Sequence, residues 1–478
     1  MKRLLSIFLL LSAMAFIAEA KVELPSVFAD HMVLQQQSDA AFWGKAEPGA
    51  KVVITTTWSR KKTTVNAGAD GKWFTRIATP AAGGPYEITF NDGDKLTLKN
   101  VLIGEVWICS GQSNMEMPMK GFYGQPVDGA QDLIFSAKPS TLIRSCNVSR
   151  NIALEAKDEC AATWFEHTPQ GVADASATAY FFARKLYEIL GVPVGVINVS
   201  WGGTPIESWI SPEVLKEEFA SDVNLSHYQT GVLPEGYESH AAGVLYNGML
   251  HSLIPFTAKG FIWYQGCTNR YAYKLYKRLQ PAFVKMLRRE WGDERMPFYF
   301  TQIAPYEYEG PDKPHAGYMM WAQAQTLDMI PYSGMAATHD AGEYACIHPA
   351  NKKVVGDRLA YQALENDYGV DGFDSKTPVA VKFEFGDGEA IVTFNNCALG
   401  LSPININLDG FELAGEDKVF YPAKAILLGW KHDRIKVYMC PEVKNPVAVR
   451  YGMKNWSEAT LFNNFGIPVS PFRSDDWE

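Results

Sequence analysis

The sequence predicts an α/β fold, with a mainly parallel sheet covered by helices on both faces and a β-sandwich domain at each end. Three observations predict it. Between about Leu102 and Gly369, buried-strand patterns alternate with helix patterns. Before Leu102 and after about Thr377, short alternating runs are separated by turn residues. At 478 residues, the chain is too long for one ordinary core. The expected divisions are a leader at 1–20, a β-sandwich at 21–100, an α/β domain at 101–376 and a second β-sandwich at 377–478.

Residues 1–20 carry Lys2 and Arg3, then an apolar run, then Ala18-Glu19-Ala20. This is the pattern of a signal peptide with a small-x-small cleavage site, and it predicts export to a periplasmic or extracellular compartment with Lys21 as the mature start. The apolar run is short for a membrane span and no second one follows, so no membrane anchor is expected. From Lys21 to about Asn100, the runs "AAFWGKA", "KVVITTTW", "KWFTRIA" and "YEITF" alternate with "EPG", "ADG" and "NDGD", which is strand-and-turn chemistry.

The αβ region follows. "SATAYFFARKLYEILG" is a helix closed by Gly191, and "VPVGVINVS" is a buried strand. "GVLYNGMLHSLIPF" reads as a helix before the strand "KGFIWYQG". The long helix after it contains Pro281, and "PFYFTQIA" and "GMAATHD" are further strands. "NKKVVGDRLAYQALENDYG" is the last helix. Strands return with "AVKFEF", "EAIVTF", "AILLGW", "RIKVYM" and "PVAVRYG".

The formal charge of -9 argues against a nucleic-acid or anionic-membrane partner. Aromatic residues make up 13% of the chain, which suits either carbohydrate-facing surfaces or aromatic sandwich cores. Seven cysteines show no C-x-x-C spacing, so no metal site is expected.

In a parallel sheet the site lies beyond the carboxyl ends of the strands. The strand "VWICSG" delivers Ser113, "GVINVS" runs into Trp201-Gly202-Gly203, "GFIWYQ" ends at Gln265, and His348 precedes the last helix. Acyl transfer needs an oxygen nucleophile, a base and donors for the developing oxyanion. Ser113, His348, the backbone at Gly202-Gly203 and the Gln265 amide supply those types. Each also has a plain structural reading: a helix cap for Ser113 and His348-Pro349, a tight turn for the glycines, and backbone satisfaction for Gln265. Among the nine histidines, His339 is the nearest rival to His348, but it lies at the end of its own strand, where packing is expected.

These blocks resemble the sialate O-acetylesterase family within the SGNH (GDSL-like) hydrolases. The resemblance is carried by "LPSVFADHMVLQQ", "VWICSGQSNMEMP", "GVINVSWGGTPIESW", "LYNGMLHSLIPFTAKGFIWYQG", "IHPANKKVVGDRLA" and "PFRSDDWE", spread over the mature chain. It implies a flavodoxin-like α/β/α hydrolase sandwich that removes O-acetyl groups from sugars through an acetyl-serine intermediate. It implies Ser113 as nucleophile, His348 as general base, and Ser113 N–H, Gly203 and Gln265 as the oxyanion hole. Asn114 would orient the nucleophile loop beside the substrate. No metal, organic cofactor or protein partner is implied; the partner is an acetylated carbohydrate.

The chain departs from the family where Cys267 replaces the acid of Tyr-Gln-Gly-Glu and where Ala345 stands three residues before His348. The group holding the imidazole is therefore open among Asp340, Glu343 and a backbone carbonyl, with Asp340 the choice taken. A Cys267–Cys346 disulfide between the two loops is expected from their predicted meeting in an oxidising compartment, against two unpaired buried thiols. Arg270 is the candidate cation for a sialate carboxylate, against a solvated loop arginine. Two other functions stay in view: an acetyl-xylan esterase, and a non-catalytic carbohydrate-binding protein.

Overall fold

The computed structural model describes residues 22–402 and 407–477; the leader reading at 1–20 lies outside them. The central sheet is built from β1 (Lys95–Gly111), β2 (Ile143–Val148), β3 (Ala162–Phe165), β4 (Val194–Ser200), β5 (Gly260–Tyr264), β6 (Phe298–Thr301) and β7 (Ser333–Ala336). Their spatial order is β7-β6-β5-β1-β4-β2-β3. Every neighbouring pair is parallel except β2 with β3 at the edge. β4 and β5 are buried at every position, as a parallel sheet covered on both faces requires.

Counting only the parallel strands, the first lies between the third and the fourth. A flavodoxin-like sheet sets it between the second and the third, which is the order of the five strands that remain when the edge pair β2–β3 is set aside. The chain leaves β1, skips one position to lay down β2, and returns β4 into the gap.

The helices that bear on the site are α1 (Ser113–Glu116), α2 (Ala177–Leu190), α3 (Tyr273–Trp291), α4 (His315–Gln325) and α5 (Lys352–Tyr368). Alternation along β1 decides which helices cover which face. Trp107 and Cys109 pack with Phe182 and Leu186 of α2 and with Leu359 and Ala363 of α5. Val106 and Ile108 face the opposite core, shared with Phe283 of α3 and Met319 of α4. Local signals fix the helix ends. The Ser176 hydroxyl accepts from Ala179 N–H and the Asn351 amide from Val354 N–H, while Gly191 and Gly369 close α2 and α5 in the left-handed conformation. The stretch read as a helix at "GVLYNGMLHSL" is instead one π-helical turn (Tyr246–Leu250) and a 3-10 turn (His251–Leu253). Gly248 is pressed there against the Asn151 carbonyl, where a Cβ would lie 2.3 Å from the oxygen.

The N-terminal strands do not form a detached unit. Gly83–Asn91 pairs antiparallel with the first part of β1, and Val33–Gln35 pairs parallel with Leu102–Gly104. The same 17-residue strand then enters the central sheet, so the division read at 100/101 falls inside one strand. After α5 comes a seven-stranded antiparallel sheet, from Val379–Gly386 at one edge to Phe472–Arg473 at the other, with a two-stranded ribbon beside it. His339 seats this domain: it is buried, its Nε2 pairs with Ser457 Oγ at 2.8 Å, and its ring meets Tyr451 edge-on. No helix among the described residues is long and apolar enough to cross a membrane.

Candidate active site

Three strands end at one level. Gly111 of β1 stands opposite Ser200 of β4 and Tyr264 of β5, so the loops carrying Ser113, Gly202-Gly203 and Gln265 leave the sheet side by side. Glycine is required at position 111: its φ is 143°, and a Cβ would lie 2.2 Å from the Tyr264 carbonyl oxygen. That close approach lets Gln112 N–H donate to Tyr264 O at 3.0 Å, after which α1 begins at Ser113. Gly202 is pressed against the serine, because a Cβ there would lie 3.1 Å from Ser113 Cβ. Glu116, one turn along α1, accepts Gly202 N–H at 2.8 Å and ties the two loops together.

Ser113 is not the cap of α1; Gln112 occupies that position. The Ser113 hydroxyl instead meets His348 Nε2 at 2.7 Å, across 235 positions of sequence. His348 Nδ1 lies 2.6 Å from Gln125 Oε1. An amide oxygen only accepts, so Nδ1 carries the proton and Nε2 is left to accept from the serine. Gln125 is set by reciprocal backbone bonds with Phe122, both 3.0 Å, and the Phe122 ring meets the imidazole edge-on at 5.3 Å. Burial, assisted by the nearby Lys352 charge, lowers the His348 pKa to about 4, so the ring is neutral at physiological pH.

Asn114 is buried with both ends of its amide engaged. It donates to the Ile347 carbonyl at 3.0 Å and accepts from the Lys352 ammonium, so it fastens the serine turn to the histidine loop, where contact with substrate was expected. Lys352 is 1% exposed, and burial lowers its pKa to about 7.

Several expected partners lie elsewhere. Asp340 does not orient the imidazole: Arg358 holds both its oxygens, at 2.6 and 2.7 Å, and also donates to the carbonyls of Ala337 and Gly466. Asp340→Asn is therefore expected to lower stability by about 1–3 kcal/mol, as for a largely buried pair, with kcat changed by less than about threefold. Denaturant unfolding beside steady-state kinetics measures both; a large kcat loss at intact stability would return Asp340 to the site. Glu343 accepts Ala350 N–H and shapes the histidine loop.

Gln265 is fully buried, and its Nε2 donates to Thr204 O at 3.2 Å and to Asn269 Oδ1 at 2.7 Å. Both amide hydrogens are used, so it braces the glycine loop from beneath and is no free oxyanion donor. Gly203 and Ser113 keep backbone N–H groups with no acceptor among the described residues. Gly203 is exposed with φ 78°. The Cys267–Cys346 disulfide is absent; both thiols are free. Cys346 Sγ turns to the His348 carbonyl at 3.3 Å, while Cys267 is buried beside Tyr308. Arg270 is not an open cation, being paired with Glu309 at 3.2 Å and stacked between the Tyr271 and Tyr308 rings.

Sequence reasoning missed Gln125, Glu116 and Lys352. Lys352 carried one signal: a cation in the first turn of a helix opposes the helix dipole and calls for a partner. Gln125, in the turn "GFYGQP", carried none. Among the described residues, no group of three His, Cys, Asp or Glu side chains is arranged to hold a metal ion.

A family model for carbohydrate esterases, the sialic acid-specific acetylesterases, matches residues 103–365. The sialate O-acetylesterase of Homo sapiens is 28% identical over 395 residues, covering 75% of this chain and 73% of the relative. That of Rattus norvegicus is 29% identical over 425 residues, covering 75% and 76%. The crystal structure of a carbohydrate acetylesterase from Xanthomonas citri superposes with a TM-score of 0.85 at 33% identity, covering 96% of this chain and 100% of that one.

Proposed function

Since the chain belongs to the sialic acid-specific acetylesterase family of carbohydrate esterases, and is thus a carboxylic ester hydrolase, we propose that it deacetylates sugars through an acetyl-serine on Ser113. The observation that carries this is the 2.7 Å contact between Ser113 Oγ and His348 Nε2, with Nδ1 of the same ring already donating to Gln125.

In the first half-reaction, Ser113 Oγ attacks the acetyl carbonyl carbon as its proton passes to His348 Nε2. The carbonyl oxygen becomes an oxyanion, and the unpaired N–H groups of Ser113 and Gly203 are the donors aimed at it. Collapse breaks the bond to the sugar oxygen, which leaves with the proton from His348. Water then attacks the acetyl-serine, again giving its proton to His348, and acetate departs with Ser113 restored. The Gln125 carbonyl steadies the imidazolium at both stages, more weakly than a carboxylate would.

An O-acetylated sialic acid is the substrate the family favours. Its carboxylate needs a cation, and Arg150 is placed for it: half-exposed and over the Trp201 ring at 5.1 Å. A neutral acetylated glycan such as acetyl-xylan is the second reading, because Arg150 is already paired with Glu116. Acetate release from 9-O-acetylated sialic acid, acetyl-xylan and p-nitrophenyl acetate separates the readings. We expect turnover of p-nitrophenyl acetate and of at least one sugar ester. Hydrolysis of none of the three would leave a carbohydrate-binding protein. Export rests on residues 1–20 and is part of the same proposal.

A further inference from the structure

The surface around the two glycines carries side chains that the acyl chemistry above does not use. On one flank Trp201 adjoins Gly202, with the Arg150 guanidinium over its ring. Beneath, Thr268 Oγ1 donates to the Gly203 carbonyl at 2.9 Å. On the other flank is His240, from the 3-10 turn Glu238–His240: the place a Cβ on Gly203 would occupy lies 3.9 Å from its Nε2. The Tyr237 ring stands edge-on to that imidazole at 5.2 Å and is 63% exposed.

Two features of His240 call for an explanation. Neither ring nitrogen has a hydrogen-bond partner among the described residues, although the other histidines near the sheet ends, His339 and His348, are both engaged. Burial also holds its pKa below the usual histidine range, so near pH 7 the ring is neutral, with one N–H donor and one bare nitrogen acceptor. A histidine that only packed would have no need to stand beside the open glycine. An acetyl methyl group needs neither donor nor acceptor. A sugar hydroxyl is both, and a neutral imidazole is its complement. The face of a pyranose presents C–H groups, and an exposed tyrosine ring offers a flat surface to receive them.

We propose that His240 and Tyr237 form the subsite for the sugar ring that carries the acetyl ester, with His240 hydrogen-bonding a hydroxyl next to the esterified one and Tyr237 lying against the ring face. The subsite rests on the reading of Ser113 and Gly203 as the acyl centre. It requires a polyol ring and no charge on the sugar, so it serves sialic acids and neutral glycans alike. It makes His240 a specificity residue, since no bond to the reacting atoms passes through it.

The test compares wild type, His240→Ala, His240→Gln and Tyr237→Ala on 9-O-acetylated sialic acid, on acetylated xylo-oligosaccharides and on p-nitrophenyl acetate, which has no hydroxyl groups. The quantity read is the ratio of kcat/KM on the sugar ester to kcat/KM on p-nitrophenyl acetate. His240→Ala is expected to lower that ratio by about 10- to 100-fold, mostly through KM, as for a lost hydrogen bond to a bound ligand. Tyr237→Ala should lower it by about 5- to 10-fold. His240→Gln keeps a donor and an acceptor and should recover part of the loss. An unchanged ratio in His240→Ala, or equal losses on all substrates, overturns the subsite and leaves the esterase reading standing. Failure of the wild-type protein to cleave any of the esters overturns both.

Discussion

Ser113→Ala is expected to reduce kcat for acetate release by about 10,000-fold or more, with the free energy of unfolding changed by less than about 1 kcal/mol. On the proposed acetyl-serine route, loss of the attacking oxygen removes the covalent path, and the donors that remain assist only the direct attack of water. The fold should not notice. The hydroxyl does not cap α1, its one partner is His348 Nε2, and the serine is only partly buried. What holds the turn is untouched: Gln112 N–H on Tyr264, the Asn114 amide between Ile347 and Lys352, and Glu116 on Gly202 N–H. Single-turnover acetate release and a thermal melt on the same preparation give both quantities. Retention of more than about a tenth of wild-type turnover would move the nucleophile elsewhere.

The parts of this site that are legible in the sequence are those fixed by a strand end. A parallel strand stops once, and the residues just past it must lie at one rim; that rule alone brings Ser113 and Gly203 together. The in-register pairing of Gly111 with Ser200 and Tyr264 is the same rule in coordinates. The illegible parts are choices between side chains within reach. Gln265 does leave the sheet at the correct level, but Thr204 and Asn269 take its hydrogens. Asp340 is three residues from the Ala337 carbonyl that Arg358 also binds, and the same guanidinium takes both its oxygens. Neither outcome follows from residue type and spacing, because both depend on which partner is within reach in the folded chain. The strand shared at 100/101 escapes for a similar reason: Lys99-Asn100 reads as a strand end, yet Lys95–Gly111 runs on through it and through Gly104-Glu105 as one strand that changes neighbours.

The identity of the group behind His348 sets the pH range of the enzyme, and two variants at position 125 should show it. As the proposed general base, the imidazole must be neutral to accept the serine proton, so kcat/KM is expected to fall as pH drops through its pKa. Burial and the Lys352 charge both disfavour the imidazolium, and a neutral amide at Nδ1 does little to restore it, which is why that pKa lies at about 4 and below the ordinary histidine value. The acid limb of the wild-type profile is thus expected near pH 4, with the plateau extending through neutrality. Gln125→Glu places a carboxylate where the amide oxygen sits, 2.6 Å from Nδ1. The opposite charge favours the imidazolium, so the pKa rises and the acid limb moves up by about 1–3 pH units. Above that limb the base is stronger, and kcat should hold or increase. Gln125→Leu removes the acceptor altogether. The ring is then free to turn or to carry its proton on Nε2, where it blocks the serine, and kcat should fall by about 100- to 1,000-fold across the whole range. A merely structural glutamine would give similar losses in both variants with the limb unmoved. Opposite effects, a shifted limb in one and a uniform loss in the other, are what an amide holding the tautomer of a catalytic ring requires.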